Sequence, residues 1–182
     1  MTFTQRREAL RSMLEGGACL HPASTHDPLS ARIAEGIGYE LGMFAGSTAS
    51  LAILGAPDHI LITLSEFAEQ ARRICRAATT LPILADADHG YGNALNAART
   101  AQEVEAAGIA GFSIEDTELP RPFGAARPRL VSIEEGMGKV RAACAARIDR
   151  ATCVFARTGA MSITGLADCI ARIRAYNASG AD

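Results

Sequence analysis

Two apolar runs, each closing on paired acids and joined by one amphipathic stretch, restrict this chain more than any other feature. The first reads Leu81-Pro-Ile-Leu-Ala-Asp-Ala-Asp88 and leads into His89-Gly-Tyr-Gly-Asn93. The second reads Ile109-Ala-Gly-Phe-Ser-Ile-Glu-Asp116. Between them Leu95, Ala98, Ala101, Val104 and Ala107 recur at helical spacing, and Gly108 stands where a helix stops. A strand, a helix and a second strand in such close order make a parallel pair. Parallel strands are covered on both faces, and their active sites collect at the C-terminal edge. Both acid pairs fall at that edge. Residues two apart in a strand share a face, so Asp86 and Asp88 are expected to project together. Carboxylates that close repel unless a cation or a shared proton intervenes. Oxygen-only ligands suit a hard cation such as Mg²⁺. Single acids at strand ends are ordinarily solvated or cap helices. Two such ends in succession, one beside Gly-Tyr-Gly, favour a cation site. Zinc bound through His89 is disfavoured, because the four histidines form no His-x-x-x-His pattern and no Cys-x-x-Cys occurs.

The rest of the chain continues the alternation. Helices are expected over 5–14, 28–35, 49–54, 65–78, 94–108, 132–147 and 164–177. Strands are expected over 18–20, 39–44, 59–63, 81–85, 110–114 and 152–156. Asp27 caps the second helix with Pro28 at its first position. Ser132 and Glu135 are spaced as a capping box. The stretch from Glu118 to Arg129 holds Pro120, Pro122 and Pro128 and reads as a loop. A doubly wound sheet and a (β/α)₈ barrel both fit this order. The closing residues Ala175-Tyr-Asn-Ala-Ser-Gly-Ala-Asp182 mirror Glu103-Val-Glu-Ala-Ala-Gly-Ile-Ala110, after which a strand follows at once. A complete eight-unit barrel needs about 250 residues. The expectation is one barrel domain over 1–182, truncated at its C-terminus and holding the first six β/α units.

Composition excludes several function classes. With 182 residues, 48% of them hydrophobic, and a formal net charge of −2, the chain suits one well-cored domain. No basic cluster offers a footprint for nucleic acid. No apolar run is long enough to span a membrane, and no signal peptide is expected. Five scattered cysteines, an odd number, fit reduced thiols in the cytoplasm.

Certain motifs carry a family resemblance. Asp86-Ala-Asp88-His-Gly-Tyr-Gly-Asn93, Ile114-Glu-Asp-Thr117 and Ala156-Arg-Thr158 resemble the isocitrate lyase/phosphoenolpyruvate mutase superfamily. Thr25-His-Asp-Pro-Leu-Ser-Ala-Arg-Ile33 and the stretch Ala45-Gly-Ser-Thr48 to Gly55-Ala-Pro-Asp58 strengthen the likeness, which runs over essentially the whole chain. Within it the chain is most similar to the bacterial oxaloacetate decarboxylase branch. The resemblance implies a (β/α)₈ TIM-type barrel, bound Mg²⁺ with Mn²⁺ as a substitute, a 2-oxo acid substrate, and helix-swapped homo-oligomers, dimer or tetramer, at full length. It implies that Asp88 ligates the metal directly and that Asp86 and Glu115 hold it through waters. It implies that Gly46, Ser47 and Thr48 bind the substrate carboxylate, that Arg157 contacts the substrate oxygens, and that Asp58 lies near the reacting carbon. The implied reaction is decarboxylation of oxaloacetate to pyruvate and CO₂ through a metal-stabilised enolate.

Each role has a plainer alternative. Arg157 pairs with Glu115, Ser47 and Thr48 cap a helix, Asp58 caps the next segment, Tyr91 packs in its turn, and His21, His26 and His59 are structural or surface residues. Departures from the superfamily also matter. Its lyases place an acid/base cysteine in a Lys-(Lys/Arg)-Cys-Gly-His loop, whereas Leu119-Pro-Arg-Pro-Phe-Gly-Ala125 has neither Cys nor His. Carbon–carbon lyase action of the 2-methylisocitrate type is therefore the weaker alternative. Phosphoryl migration is disfavoured too, because no Asn occurs between Glu118 and Arg129. A further alternative is an inactive barrel remnant that keeps the pocket. A phosphotransfer response domain is rejected: the first strand carries no acids, and the one lysine, Lys139, falls in an expected helix.

Overall fold

A computed structural model describes residues 1–182. The chain runs α1 (Phe3–Glu15), β1 (Ala23–Ser24), α2 (Pro28–Gly36), β2 (Gly42–Phe44), α3 (Gly46–Leu54), α4 (Leu64–Ala77), β3 (Ile83–Asp86), α5 (Ala94–Ala107), β4 (Gly111–Glu115), α6 (Ile133–Ala146), β5 (Cys153–Arg157), α7 (Ala160–Ile163) and α8 (Leu166–Asn177). Most helices start where the sequence supplies an acceptor for their unpaired amides. Thr2, Asp27, Thr63 and Asn93 each cap a helix and bond reciprocally with the third residue inside it. Ser132 accepts from the Glu135 amide, but the return bond of the expected capping box is not made. Gly108 ends α5 at φ 99°, a left-handed angle that glycine adopts without a steric cost.

All five strands are parallel and lie in chain order, β1-β2-β3-β4-β5. This order decides between the two architectures. A doubly wound sheet reverses its strand order at a switch point, whereas a barrel adds each strand beside the last. The register aligns the strand ends: Ala85 with Phe112, Asp86 with Ser113, and Glu115 with Arg157. Asp182 continues the outer side of β5, its amide donating to the Val154 carbonyl at 2.9 Å.

Three expectations change. The first strand lies at Ala23–Ser24 rather than at 18–20. Pro22 has no amide to donate, whereas Ala23 is buried and donates to the Leu41 carbonyl. The expected strand over 59–63 does not form, so the six β/α units of the sequence reading are five strands in the structure. Ile60 takes a left-handed φ of 58°, which breaks extended backbone, and only Ile62 of that run is buried. The third helix begins at Gly46, three residues earlier than expected, which puts Gly46-Ser-Thr48 in its first turn.

The core lies between sheet and helices. Phe44 stacks on Phe67 at 4.6 Å, and Ile83, Ile109, Phe112 and Val154 fill the centre. Ala97 and Ala101 on α5 are fully buried in the same cluster, where α5 packs against α4 and α6. At the N-terminal end of the strands, charged side chains satisfy backbone groups. Arg7 donates to the carbonyls of Ile109 and Glu105. The buried Glu105 carboxylate accepts from the amides of Ile148 and Asp149 and from Thr152 Oγ1. Glu105→Ala leaves the buried Thr152 hydroxyl and two part-buried amides without this acceptor, so it is expected to cost about 2 kcal/mol in denaturant unfolding. No helix is long and apolar enough to cross a membrane.

Candidate active site

The C-terminal strand ends surround one open cavity of about 600 Å³. Ser47, Asp58, Asp86, Asp88, Glu115 and Arg157 all stand on its wall. Six of the eight residues singled out in the sequence thus meet there. Gly46 lies behind the wall against Asp88. Thr48 is turned away, its hydroxyl donating to the Ala45 carbonyl at 2.9 Å.

Asp86 and Asp88 meet for a different reason than the one expected. The strand ends at Asp86, so the two do not share a strand face. Asp88 sits in a turn at φ 48°, a region that aspartate tolerates better than most residues. Three backbone bonds fix that turn: Glu115 amide to Asp88 carbonyl (2.7 Å), Ala87 amide to Ser113 carbonyl (3.0 Å) and Gly90 amide to Ala87 carbonyl (2.8 Å). The Asp88 side chain is 6% exposed, and its Oδ2 has no hydrogen-bond partner. Only a glycine fits beside it at position 46, where a Cβ would come within 2.6 Å of Asp88 Oδ1. Burial first, then the nearby charges of Asp86, Asp58 and Glu115, push the Asp88 carboxyl up from 3.8 to about 7.

The other acids are engaged. Asp86 accepts from Ser113 Oγ at 2.9 Å and from Arg157 Nη1 at 2.8 Å. Glu115 lies 3.6 Å from Arg157 Nε, and its carboxyl is raised by burial against the pull of that guanidinium. The pairing of Arg157 with Glu115 therefore exists alongside its place on the cavity wall. Ser47 is exposed on the wall within the first turn of α3, whose cap residue Ala45 gives its amides no side-chain partner. That leaves a patch of free donors and positive helix dipole facing the cavity.

Sequence reasoning missed part of the wall. His59 and Ile60, read as surface or strand residues, line it, as do Thr117, Leu119, Pro120 and Arg121. Arg121 makes no ion pair or hydrogen bond. Asp116, paired with Glu115 in the sequence, turns away and is 2% exposed. Strand alternation separates such neighbours and was the available signal.

The residues present fit a hard divalent cation. The donor set is all oxygen, and the buried Asp88 Oδ2, without a hydrogen-bond partner, is a ligand of the type such a cation takes. No three side chains of ligand type converge to chelate unaided. Asp88 carries the unpartnered oxygen, whereas Asp86 and Glu115 are engaged by Arg157. One consequence is measurable. Between about pH 4 and 7 the folded chain holds a proton on Asp88 that the unfolded chain has released, so metal-free protein is expected to lose stability as pH rises through that window. A divalent cation held by Asp88 would favour the ionised form, so added Mg²⁺ is expected to flatten or reverse this slope. Thermal melts across the window with and without Mg²⁺ check it.

Comparison with known proteins agrees with this geometry. The phosphoenolpyruvate phosphomutase family model matches residues 10–182. An oxaloacetate decarboxylase of Bradyrhizobium sp. (strain BTAi1 / ATCC BAA-1182) is 62% identical over the whole chain, and one of Rhodopseudomonas palustris (strain BisB18) is also 62% identical. The chain spans 63% of the length of each of these relatives. Among solved structures, phosphonopyruvate hydrolase in complex with oxalate and Mg²⁺ superposes with a TM-score of 0.90 at 34% identity, covering all of this chain and 62% of that one. Oxaloacetate acetylhydrolase in complex with the inhibitor 3,3-difluorooxalacetate gives 0.91 at 31% identity, with the same coverage. The consecutive parallel strands are those of the superfamily's TIM-type barrels, seen here as an arc of five. The acids and the arginine at their ends, the matched model and the shared fold lead to one assignment: this chain belongs to the phosphoenolpyruvate phosphomutase family of the isocitrate lyase/phosphoenolpyruvate mutase superfamily.

Proposed function

We propose that this chain carries a Mg²⁺-dependent decarboxylation of oxaloacetate to pyruvate and CO₂. The observation that carries the reading is the buried, unpartnered Asp88 carboxylate at a cavity flanked by Arg157 and the start of α3. The relatives named oxaloacetate decarboxylase support the choice of reaction. Asp88 would hold the metal, with Asp86 and Glu115 around it, and Mn²⁺ would serve in its place. When bound, the metal would supply Lewis acidity that stabilises negative charge developing on the substrate. Ser47 and the first-turn amides of α3 take the C1 carboxylate. The C3–C4 bond breaks, CO₂ departs, and the electron pair passes through C3 to the 2-oxo oxygen. Arg157 places positive charge beside that growing oxyanion. Asp58 borders the reacting carbon, and solvent returns a proton to C3. No nucleophile is needed.

Carbon–carbon lyase action is the second reading. Against it stands the wall between β4 and α6, where Leu119, Pro120 and Arg121 offer no group that gives or takes a proton near neutral pH. Incubation with 2-methylisocitrate is therefore expected to yield no succinate, and robust succinate formation would overturn the assignment.

The reading includes a homo-oligomer in the cytoplasm. All five cysteines are free. Leu29, Ile33 and Ile37 along α2 and Leu166, Ile170 and Ile173 along α8 form exposed apolar stripes, which favour association. Light scattering coupled to size exclusion is expected to give a mass above 19.1 kDa, the mass of one chain. A monodisperse monomer contradicts this.

A further inference from the structure

We propose that Asp116 is a positioning residue whose carboxylate latches the exit of β5, and with it Arg157, to the exit of β4. The site as described leaves this carboxylate without a role, although it is 2% exposed. Four donors converge on it. Thr158 Oγ1 and the Gly159 amide reach it at 2.8 and 3.3 Å from the turn that directly follows Arg157. Tyr176 Oη and Arg172 Nη1 reach it at 2.8 and 3.1 Å from α8. Arg172 is itself held by Asp168 through Nε and by the Val131 carbonyl, both at 2.9 Å. The latch therefore joins two adjacent strand exits to the segment before α6 and to α8.

The need for it follows from the exposure of Arg157. That side chain is 56% exposed, and its partners Asp86 and Glu115 face the same open cavity. Exposed ion pairs hold little on their own. A guanidinium that must meet a developing charge has to be placed by its backbone. The backbone after Arg157 is held by a buried, fully satisfied carboxylate, the arrangement that rigidifies most. Glu115 and Asp116 thus divide the work of one strand end. Glu115 faces the cavity, and Asp116 fixes the wall behind it.

The inference rests on the role proposed for Arg157, and the test separates the two. Thr158→Val removes the bond from Thr158 Oγ1 to Asp116, together with the local one it accepts from the Ala160 amide at 3.2 Å; Thr158→Ser keeps both, and Tyr176→Phe removes a link that does not touch the turn. Two quantities are read: oxalate affinity in saturating Mg²⁺ by calorimetry, and hydrogen exchange of the Gly159 amide, which bonds to Asp116 itself. Thr158→Val is expected to weaken oxalate and speed that amide by about tenfold, the scale of one hydrogen bond to a charged group. Thr158→Ser is expected to restore both to within about twofold, and Tyr176→Phe to lower the melting temperature while leaving both within the same margin. Wild-type exchange and affinity in Thr158→Val overturn the latch. So does an equal loss of affinity in Tyr176→Phe, which marks a merely structural network. If the unmutated protein binds no oxalate, the reading of the cavity falls, and the exchange rates alone decide the latch.

Discussion

Asp88→Ala is expected to abolish Mg²⁺-dependent binding of oxalate and to lower kcat/KM for oxaloacetate by well over a hundredfold, while the protein still folds. Loss of an outer-shell partner alone costs a metal site about 10–100-fold, and a direct ligand costs more. The fold should survive because the variant removes a buried carboxylate with an unpaired oxygen, not a satisfied one. Metal-free Asp88→Ala should in fact melt no lower than the unmutated protein above about pH 7, where that carboxylate is ionised at a desolvation cost. Calorimetry with oxalate and a thermal melt read the two halves separately. Unchanged oxalate affinity rules out the metal assignment.

Gly46→Ala should also weaken that binding, although it removes nothing. A Cβ at position 46 would lie within 2.6 Å of Asp88 Oδ1 and 3.0 Å of its Cγ and Oδ2. Either the carboxylate rotates away or the first turn of α3 shifts, and each displaces a part of the proposed metal and carboxylate site. Overpacking of this kind costs about 1–3 kcal/mol, and a similar loss in binding is about tenfold or more. The discriminating result is the pairing of a large loss of oxalate affinity with a small drop in melting temperature. Wild-type affinity in Gly46→Ala would show that α3 does not press on the site.

These two positions also mark the limit of what the sequence discloses. The residue types were legible: acids at two successive strand ends, and the Gly-Ser-Thr stretch after an earlier one. Their geometry was legible only in part. Asp86 and Asp88 were expected on one strand face, but β3 ends at Asp86, and backbone bonds from Ser113 and Glu115 on the neighbouring strand bend the chain there. No local pattern encodes that turn. Gly46 read as part of a carboxylate-binding stretch, and its contact with Asp88 exists only once β2 and β3 lie side by side. The parallel sheet followed from alternation, yet alternation could not choose between barrel and doubly wound order, which the consecutive pairing decides. Short strands were the least legible. Ala23–Ser24 forms because Ala23 pairs with Gly42, a long-range contact. The apolar run at 59–63 is interrupted by Ile60 in a left-handed conformation that a β-branched residue rarely adopts, and only tertiary packing imposes it. The wall residues His59 and Arg121 were missed because loops carry no periodicity.

Product analysis tests the central claim most directly. Carbon-13-labelled oxaloacetate is incubated with the protein and Mg²⁺ and followed by NMR, with Asp88→Ala giving the uncatalysed background. The fold is shared with an oxaloacetate acetylhydrolase, whose name points to hydrolysis of the substrate proposed for this chain. The account predicts pyruvate and CO₂ above background, and no acetate. Accumulation of acetate and oxalate in place of pyruvate would contradict it.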